Sequence, residues 1–198
     1  MSENPLDDLL RQVRACTRCT DLPEGPRPVL QVDARARILI AGQAPGRRVH
    51  ASGIPFDDPS GERLRDWLGM GRETFYDATR VALLPMGFCY PGTGPHGDLP
   101  PRPLCASSWR QPLLDQLGDI RLTLLLGQHA LAWHWPDAPG SLADAVRASH
   151  QRLLAGGPPL LALPHPSPRN NRWLAQHPWF AAEVLPTLRQ RVTTALGG

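Results

Sequence analysis

The stretch that most constrains the fold is residues 37–56, which read RILIAGQAPGRRVHASGIPF. It begins with a short apolar run, typical of a β-strand buried on both faces. The strand must end at Gly42, Pro45 and Gly46, because proline lacks an N–H and glycine permits positive φ and close approach to the backbone. Open α/β folds bind ligands at the carboxyl ends of such strands. The stretch therefore predicts a ligand-binding turn, although an ordinary strand-to-loop exit fits these residues equally well when they are taken alone.

The rest of the chain alternates between apolar runs and helical spacing. Apolar runs predict further strands at residues 80–84, 122–127 and 159–164. Apolar residues at helical spacing predict helices at residues 6–15, 60–68, 107–117, 128–135, 141–150 and 173–196, with Ser60 as an N-cap and the last helix interrupted near Pro178 and Pro186. Strands separated by helices predict a three-layer α/β/α fold with a parallel sheet. By length, we expect residues 1–198 to form one domain.

Two segments carry no regular pattern. Residues 46–59 are expected to form a loop. Residues 85–103 are dense in glycine and proline and too long for a simple connection, which predicts that they are either disordered or anchored by something.

The charge and composition exclude several function classes. All 21 basic side chains are arginine, so a lysine Schiff base and a P-loop lysine are ruled out. The net charge of +3 is too small to establish a polyanionic partner. No apolar run reaches the roughly 20 residues that a membrane span needs, and the N-terminus lacks the layout of a signal peptide. We therefore expect a soluble, cytoplasmic protein with no membrane partner.

The four cysteines form an informative pattern. Cys16 and Cys19 are a close pair, and Cys89 and Cys105 bracket the long loop. Disulfides are rare in cytosolic proteins, and cysteines spaced in this way usually bind a metal. Four thiolates suit either a structural zinc ion or an iron–sulfur cluster, and spacing does not choose between them. Four unrelated buried thiols are the remaining alternative.

A histidine follows the last predicted strand, in the segment HPSPRNN at residues 165–171. Flanking prolines restrict His165, which suits a hydrogen-bond donor to developing charge, although taken alone the segment fits a surface turn better. In a parallel sheet, however, Gly42 and His165 both follow carboxyl ends and share one edge. Phe56 can stack on a planar ligand or belong to the core. Asp57 and Asp58, the close carboxylate pair near this edge, can simply cap the next turn.

Taken together, these motifs resemble the uracil-DNA glycosylase superfamily, most closely its iron–sulfur (family 4-like) branch found in bacteria and archaea. The motifs are GQAPG (42–46), GIPF (53–56), LLLGQHA (124–130), HPSPR (165–169) and the four cysteines, and the resemblance covers about residues 16–185. It implies a four-stranded parallel sheet between helices and hydrolysis of the N-glycosidic bond of a deaminated base flipped out of DNA. It also implies a [4Fe–4S] cluster on the four cysteines, with zinc as the runner-up. DNA is the implied partner of what we expect to be a monomer.

The resemblance also assigns roles around the base. The base would stack on Phe56 and contact the turn at Gly42, Gln43 and Ala44. His165 would donate a hydrogen bond to uracil O2 as negative charge develops on the leaving base.

On the DNA side, Ser167 and Arg169 would face phosphate and the minor groove. Two positions depart from the branch. Gln43 stands where the branch has the glutamate that positions water or stabilises the sugar cation. Pro85 stands where it has the asparagine that reads the uracil imide, and Asn170 or Asn171 is a candidate substitute reader.

Two hypotheses follow from this combination. The first is a monofunctional glycosylase acting on uracil or another deaminated base, since a chain without lysine cannot be a Schiff-base lyase. The alternative is a catalytically weak or inactive member that binds damaged or single-stranded DNA.

Overall fold

The structure is a computed structural model that describes residues 4–95 and 97–197. The strands are β1 (Ile38–Ala41), β2 (Val81–Leu83), β3 (Thr93–Gly94), β4 (Gly97–Asp98), β5 (Leu122–Leu126) and β6 (Leu160–Leu163). A four-stranded sheet has the order β2-β1-β5-β6, and β3 and β4 form a separate antiparallel pair.

All neighbours in the four-stranded sheet are parallel. Ile38 pairs with Val81 on one side and with Leu122 on the other, and Thr123 pairs with Leu160. The carboxyl ends of all four strands therefore lie at one edge. The two ends singled out in the sequence, after β1 and after β6, share this edge with β5 between them.

Helices cover both faces of the sheet. The α-helices are α1 (Pro5–Arg14), α2 (Arg47–Ser52), α3 (Pro59–Leu68), α4 (Arg72–Tyr76), α5 (Pro103–Cys105), α6 (Gln111–Leu114), α7 (Gln128–His134), α8 (Leu142–Leu154), α9 (Asn171–Gln176) and α10 (Leu185–Leu196). None of the helices in the described ranges is both long and apolar enough to cross a membrane.

Side-chain alternation along β1 divides the core between the two faces. Ile38 and Ile40 pack with apolar residues of α3, α8 and α10. Leu39, between them, packs with residues of α1 and α6. The predicted α/β/α architecture with a parallel sheet is confirmed.

The main differences from the predicted elements lie around the site. The segment 46–59, expected to be a loop, contains α2. The N-cap of α3 is Asp58 rather than Ser60, because the Asp58 side chain accepts a hydrogen bond from Gly61 N at 2.9 Å and Pro59 occupies the first turn. The short helix α4 escaped prediction because it buries only Phe75.

Proline does not break the helical course at two of the positions where it occurs, Pro112 and Pro186. The predicted break near Pro178 is present, since α9 ends at Gln176. The predicted break at Pro186 is wrong: Pro186 lies in the first turn of α10, directly after a π-helical turn (Phe180–Val184). Another π-helical turn (Ala106–Arg110) precedes the proline of α6 in the same way. At each junction the hydrogen-bonding pattern changes where proline lacks its N–H, so the helical course continues.

Candidate active site

A cavity of about 510 Å³ opens at the carboxyl edge of the sheet. Its walls come from the turn after β1, the segment around Phe56, the loop after β6, the exit of β2 and the β4 strand. All the predicted site residues other than the cysteines line it, namely Gly42, Gln43, Ala44, Phe56, His165, Ser167 and Arg169. The prediction that Gly42 and His165 share one edge of the sheet is confirmed.

The turn after β1 is fastened to the exit of β2 by two backbone hydrogen bonds. Gly42 O accepts a bond from Met86 N, and Gln43 O accepts one from Gly87 N, both at 2.9 Å. The carbonyls of the turn therefore point away from the cavity toward the neighbouring loop. This leaves a backbone surface in the cavity whose position depends on both strands.

Phe56 has an unusual backbone conformation. With φ of 55° it is the one non-glycine residue with positive φ among those described, a state that costs about 1–3 kcal/mol. Its carbonyl lies against Gly61, where an added Cβ would come within 1.8 Å of Phe56 O. Its ring lies over Gly42, where an added Cβ would be 3.3 Å from Cζ, and packs edge-on against Phe75. The surrounding structure therefore holds the ring against the β1 turn despite the backbone strain.

His165 is a neutral hydrogen-bond donor in this cavity. Ser167 N donates to His165 Nδ1 at 3.2 Å, so Nδ1 is the acceptor and the ring proton lies on Nε2. Burial lowers the pKa of His165, and the nearby Asp58 and Asp98 carboxylates oppose this shift. Asn170 fixes the backbone by donating from Nδ2 to His165 O at 2.7 Å. The imidazole is thus held in one tautomer by its own loop.

The loop after β6 presents its polar groups toward the exposed side of the cavity. Arg63, on α3, donates from Nη1 to Ser167 O at 3.3 Å, and Ser167 Oγ accepts from Arg169 N at 3.3 Å. The exposed Arg169 guanidinium lies over Gly97, where an added Cβ would be 1.8 Å from Nη1. Arg169 therefore spans from this loop to the hairpin formed by β3 and β4.

The hairpin contributes a carboxylate that sequence reasoning missed. Asp98 lines the cavity, and its Oδ1 accepts a hydrogen bond from Thr93 Oγ1 at 3.2 Å. Thr93 Oγ1 is in turn 2.6 Å from the hydroxyl of Tyr90. No local pattern marks Asp98, because only the fold of the 85–103 segment brings it to the sheet edge. Asp58 also lines the cavity, in addition to capping α3.

The floor near Pro85 is held by a buried arginine. Arg110 is fully buried and donates from Nη1 to Leu84 O at 2.8 Å and to Pro85 O at 2.9 Å. Its Nη2 lies 2.6 Å from Nε2 of His134. Burial lowers the pKa of Arg110 to about 10 and, together with the Arg110 charge, lowers the pKa of His134 to about 4. At neutral pH a cationic Arg110 therefore donates to a neutral His134.

The four cysteines are free and partly buried, and Cys89 lies near enough to the other three for their charges to act on it. Burial raises the pKa of Cys89 to about 11, and the other three, Cys105, Cys19 and Cys16, add to the rise through their charges. Burial likewise raises the pKa of Cys105. Four thiols that influence one another fit iron–sulfur chemistry as a donor set. Across residues 4–95 and 97–197, however, no group of three or more His, Cys, Asp or Glu side chains is placed to hold a metal ion, so the cluster stays a prediction.

Comparison with known families gives one finding that bears on this site. The family model for the Uracil DNA glycosylase superfamily matches residues 30–189. The match includes the β1 turn, Phe56, the β3–β4 hairpin and the loop that carries His165.

Proposed function

Because the chain belongs to the uracil-DNA glycosylase superfamily, we propose that it is a monofunctional DNA glycosylase that hydrolyses the N-glycosidic bond of uracil or another deaminated base in DNA. The observation that carries this proposal is the meeting of Phe56, the β1 turn and the His165 donor in one cavity. The cavity volume of about 510 Å³ leaves room for a single flipped nucleotide.

The base would bind by stacking on the ring of Phe56. This ring is held over Gly42 and backed by Phe75, so little side-chain entropy is lost when a base stacks on it. Gly42, Gln43 and Ala44 line the same cavity, and their backbone would contact the edge of the base. Stacking on an aromatic side chain is worth about 1–3 kcal/mol per base and tolerates different bases.

Bond breaking would be assisted by His165. As the bond between the sugar C1′ and the base nitrogen breaks, its electron pair moves into the base and negative charge grows on O2. The Nε2–H of His165 donates to that oxygen, and because Ser167 N holds Nδ1, the ring needs no reorientation during the reaction. A preorganised donor of this type lowers the barrier by about 2.7–4 kcal/mol.

DNA would be held from the exposed side of the cavity. Arg169 is exposed at the cavity and Ser167 lies beside it. An arginine there suits a phosphate flanking the flipped nucleotide, and such contacts position the duplex without reading its sequence. Affinity for DNA is then expected to fall steeply as salt rises.

The choice of base depends on the region around Pro85. Proline offers no N–H to a base, and the Pro85 carbonyl already accepts from Arg110. Of the two asparagines considered in the sequence, Asn170 lines the cavity, and its Nδ2 is engaged with His165 O. We therefore propose that the enzyme acts on deaminated bases as a class rather than on uracil alone.

We also propose that Cys16, Cys19, Cys89 and Cys105 hold one [4Fe–4S] cluster, as in the branch that the motifs resemble. Such a cluster would supply structural anchoring of the 85–105 segment. Anaerobically purified protein is then expected to show visible charge-transfer absorption; colourless protein with stoichiometric zinc would identify zinc instead.

The direct test is base release under single-turnover conditions. Oligonucleotides carrying one uracil, hypoxanthine or xanthine, single-stranded or double-stranded, are incubated with excess protein, and abasic sites are detected by alkaline strand cleavage. Release from at least one substrate, slowed about 10²–10³-fold in His165→Ala, is the expected result. If no substrate loses its base while DNA binding remains strongly salt-dependent, the chain is the binding protein of the alternative hypothesis.

A further inference from the structure

The proposed hydrolysis leaves one role without an obvious residue. The attacking water must lose a proton, and a positioned carboxylate that accepts it typically speeds such a step by about 10²–10⁴-fold. In the β1 turn, the side chains of Gln43 and Ala44 are neutral and cannot accept this proton. Two carboxylates from other elements line the same cavity, Asp58 and Asp98.

Asp58 is already engaged in building the fold. Its Oδ1 accepts the bond from Gly61 N that caps α3, and its backbone carbonyl accepts a bond from Glu62 N at 3.2 Å. An acidic cap stabilises a helix N-terminus through its negative charge, so Asp58 would weaken its own cap of α3 each time it accepted a proton. This leaves Asp98 as the stronger candidate.

Asp98 is placed over the end of the β1 turn. Its Oδ2 lies 3.4 Å from the point where a Cβ on Gly46 would be. Its Oδ1 is held by Thr93 Oγ1, and that hydroxyl is held by the buried Tyr90. Oδ2 has no hydrogen-bond partner in the described part of the chain, so one oxygen is anchored and the other is available to a water molecule.

Gln43 holds the strand that carries Asp98. Its Nε2 donates to the carbonyl of Leu99, the next residue after Asp98, at 3.2 Å. Leu99 N donates in turn to Gly92 O at 2.8 Å. The neutral side chain in the turn thus fixes the backbone beside a carboxylate that comes from the hairpin.

We propose that Asp98 is the catalytic base that activates the attacking water, and that Gln43 is a positioning residue for it. This inference rests on the proposed glycosylase function. Asp98 and His165 enter the cavity from different elements and are near enough for their charges to interact. One residue can therefore serve the water while the other serves the leaving base.

The step balances as a hydrolysis. The bond between C1′ and the base nitrogen breaks, and both electrons leave with the base. The water oxygen bonds to C1′, and its proton passes to Oδ2 of Asp98. That proton then passes through solvent to the base anion, so the products are the free base and an abasic sugar, and Asp98 is regenerated.

The test compares carboxylates in and near the cavity. Asp98→Asn, Asp58→Asn and Asp57→Asn each remove one negative charge; asparagine preserves the cap at Asp58, and Asp57 does not line the cavity. The single-turnover rate of base release and the affinity for DNA with an abasic analogue are measured for each. We expect Asp98→Asn to lose about 10²–10⁴-fold in rate with affinity unchanged or slightly higher, and Asp57→Asn to match the wild type.

Two further variants separate chemistry from folding. In Asp98→Ala, added formate is expected to restore the rate about tenfold or more by replacing the missing general base. Gln43→Ala is expected to lower the maximal rate without weakening DNA binding, and Gln43→Asn is expected to recover part of the lost rate if its amide still reaches Leu99.

Several results would overturn the inference. An Asp98→Asn rate within threefold of the wild type removes Asp98 from the reaction while leaving the glycosylase function intact. A large loss in Asp58→Asn alone assigns the role to Asp58, and an Asp98→Ala rate that formate does not change makes Asp98 structural. A wild type that releases no base from any substrate overturns both the function and this inference.

Discussion

The cavity and the cysteine region share one segment of chain, residues 85–105, but they are held in different ways. On the cavity side, hydrogen bonds fasten the segment: Gly42 O to Met86 N, and Asp98 to Thr93. On the other side, Cys89 and Cys105 carry free thiols. Hydrogen bonds also reach the cysteine side, where Arg102 donates to Asp21 and Val29 N donates to Phe88 O, both at 2.7 Å. The two sides therefore differ in the four thiols, and the proposed cluster would add a further anchor only there.

Arg110 connects the two regions. It follows Cys105 on the same helical stretch and donates to Pro85 O in the cavity wall. Because Arg110 is fully buried and its hydrogen bond on the far side goes to neutral His134, the junction carries a buried charge whose bonds must all be kept. A disturbance of either region is therefore expected to reach the other through this junction.

The largest expected effect is on the rate of base release, and it should involve the cavity but not the cysteine region. His165→Ala should lower the rate of base release by about 2.7–4 kcal/mol of barrier, since it removes the donor to O2. DNA affinity and any visible absorption from the cysteine region should stay unchanged. Single-turnover kinetics measures the rate, and His129→Ala, an exposed histidine outside the cavity, is the control. A loss below threefold would exclude His165 from the reaction.

The next effect is the pH dependence of the free energy of unfolding, which tests the contact between Arg110 and His134. The pKa of His134 is about 4 when folded, against an ordinary value of 6.5, so the unfolded chain binds the proton first as pH falls. Stability should thus be complete above pH 6.5 and decline toward pH 4, by up to about 3 kcal/mol at 1.36 kcal/mol per pKa unit.

Urea unfolding between pH 7 and pH 4.5 measures this decline. His134→Gln retains an acceptor for Arg110 but does not titrate, so its stability should fall less over the same range. Equal slopes for the two proteins would contradict the assignment of this pH dependence to His134.

A smaller effect tests base capture in the cavity alone. Phe56→Ala should weaken binding of an oligonucleotide with a flipped deaminated base by about 1–3 kcal/mol, the value of one stacked base. Titration with His165→Ala as the background prevents turnover during the measurement. Affinity for undamaged duplex should not change, and an equal loss for both DNAs would point to a folding defect instead.

The smallest effect tests the cysteine region. Cys89→Ser should remove one ligand of the proposed cluster and loosen residues 85–103, so that limited proteolysis there accelerates on the order of tenfold for each roughly 1.4 kcal/mol of lost local stability. Cleavage in the turn between α8 and β6 is the internal control. Unchanged proteolysis, with visible absorption retained, would show that Cys89 is not a ligand.

Much of the fold and half of the site could be predicted from local sequence. The apolar runs of β1 and β6 are short enough to be strands and are followed by residues that must end them. Once the sheet is parallel, its geometry brings Gly42 and His165 to one edge. Phe56 was a candidate because an aromatic side chain in the GIPF motif can stack on a planar ligand, although its positive φ left no sign in the sequence.

Only the tertiary structure decided the rest of the site. Asp98 reaches the cavity because the hairpin folds back over Gly46, and glycine- and proline-rich segments carry no periodicity that would reveal such a path. Asp58 rather than Ser60 caps α3, because the choice depends on where the chain enters the helix. Arg110 and His134 are 24 positions apart in the sequence, and only the folded core brings Arg110 Nη2 to within 2.6 Å of His134 Nε2. Strand and turn propensities act between near neighbours in the chain, whereas burial and charge pairing act between neighbours in space. For this reason the sequence determined the strands and turns that bound the cavity and indicated Asp58, while only the tertiary structure brought Asp98 into it.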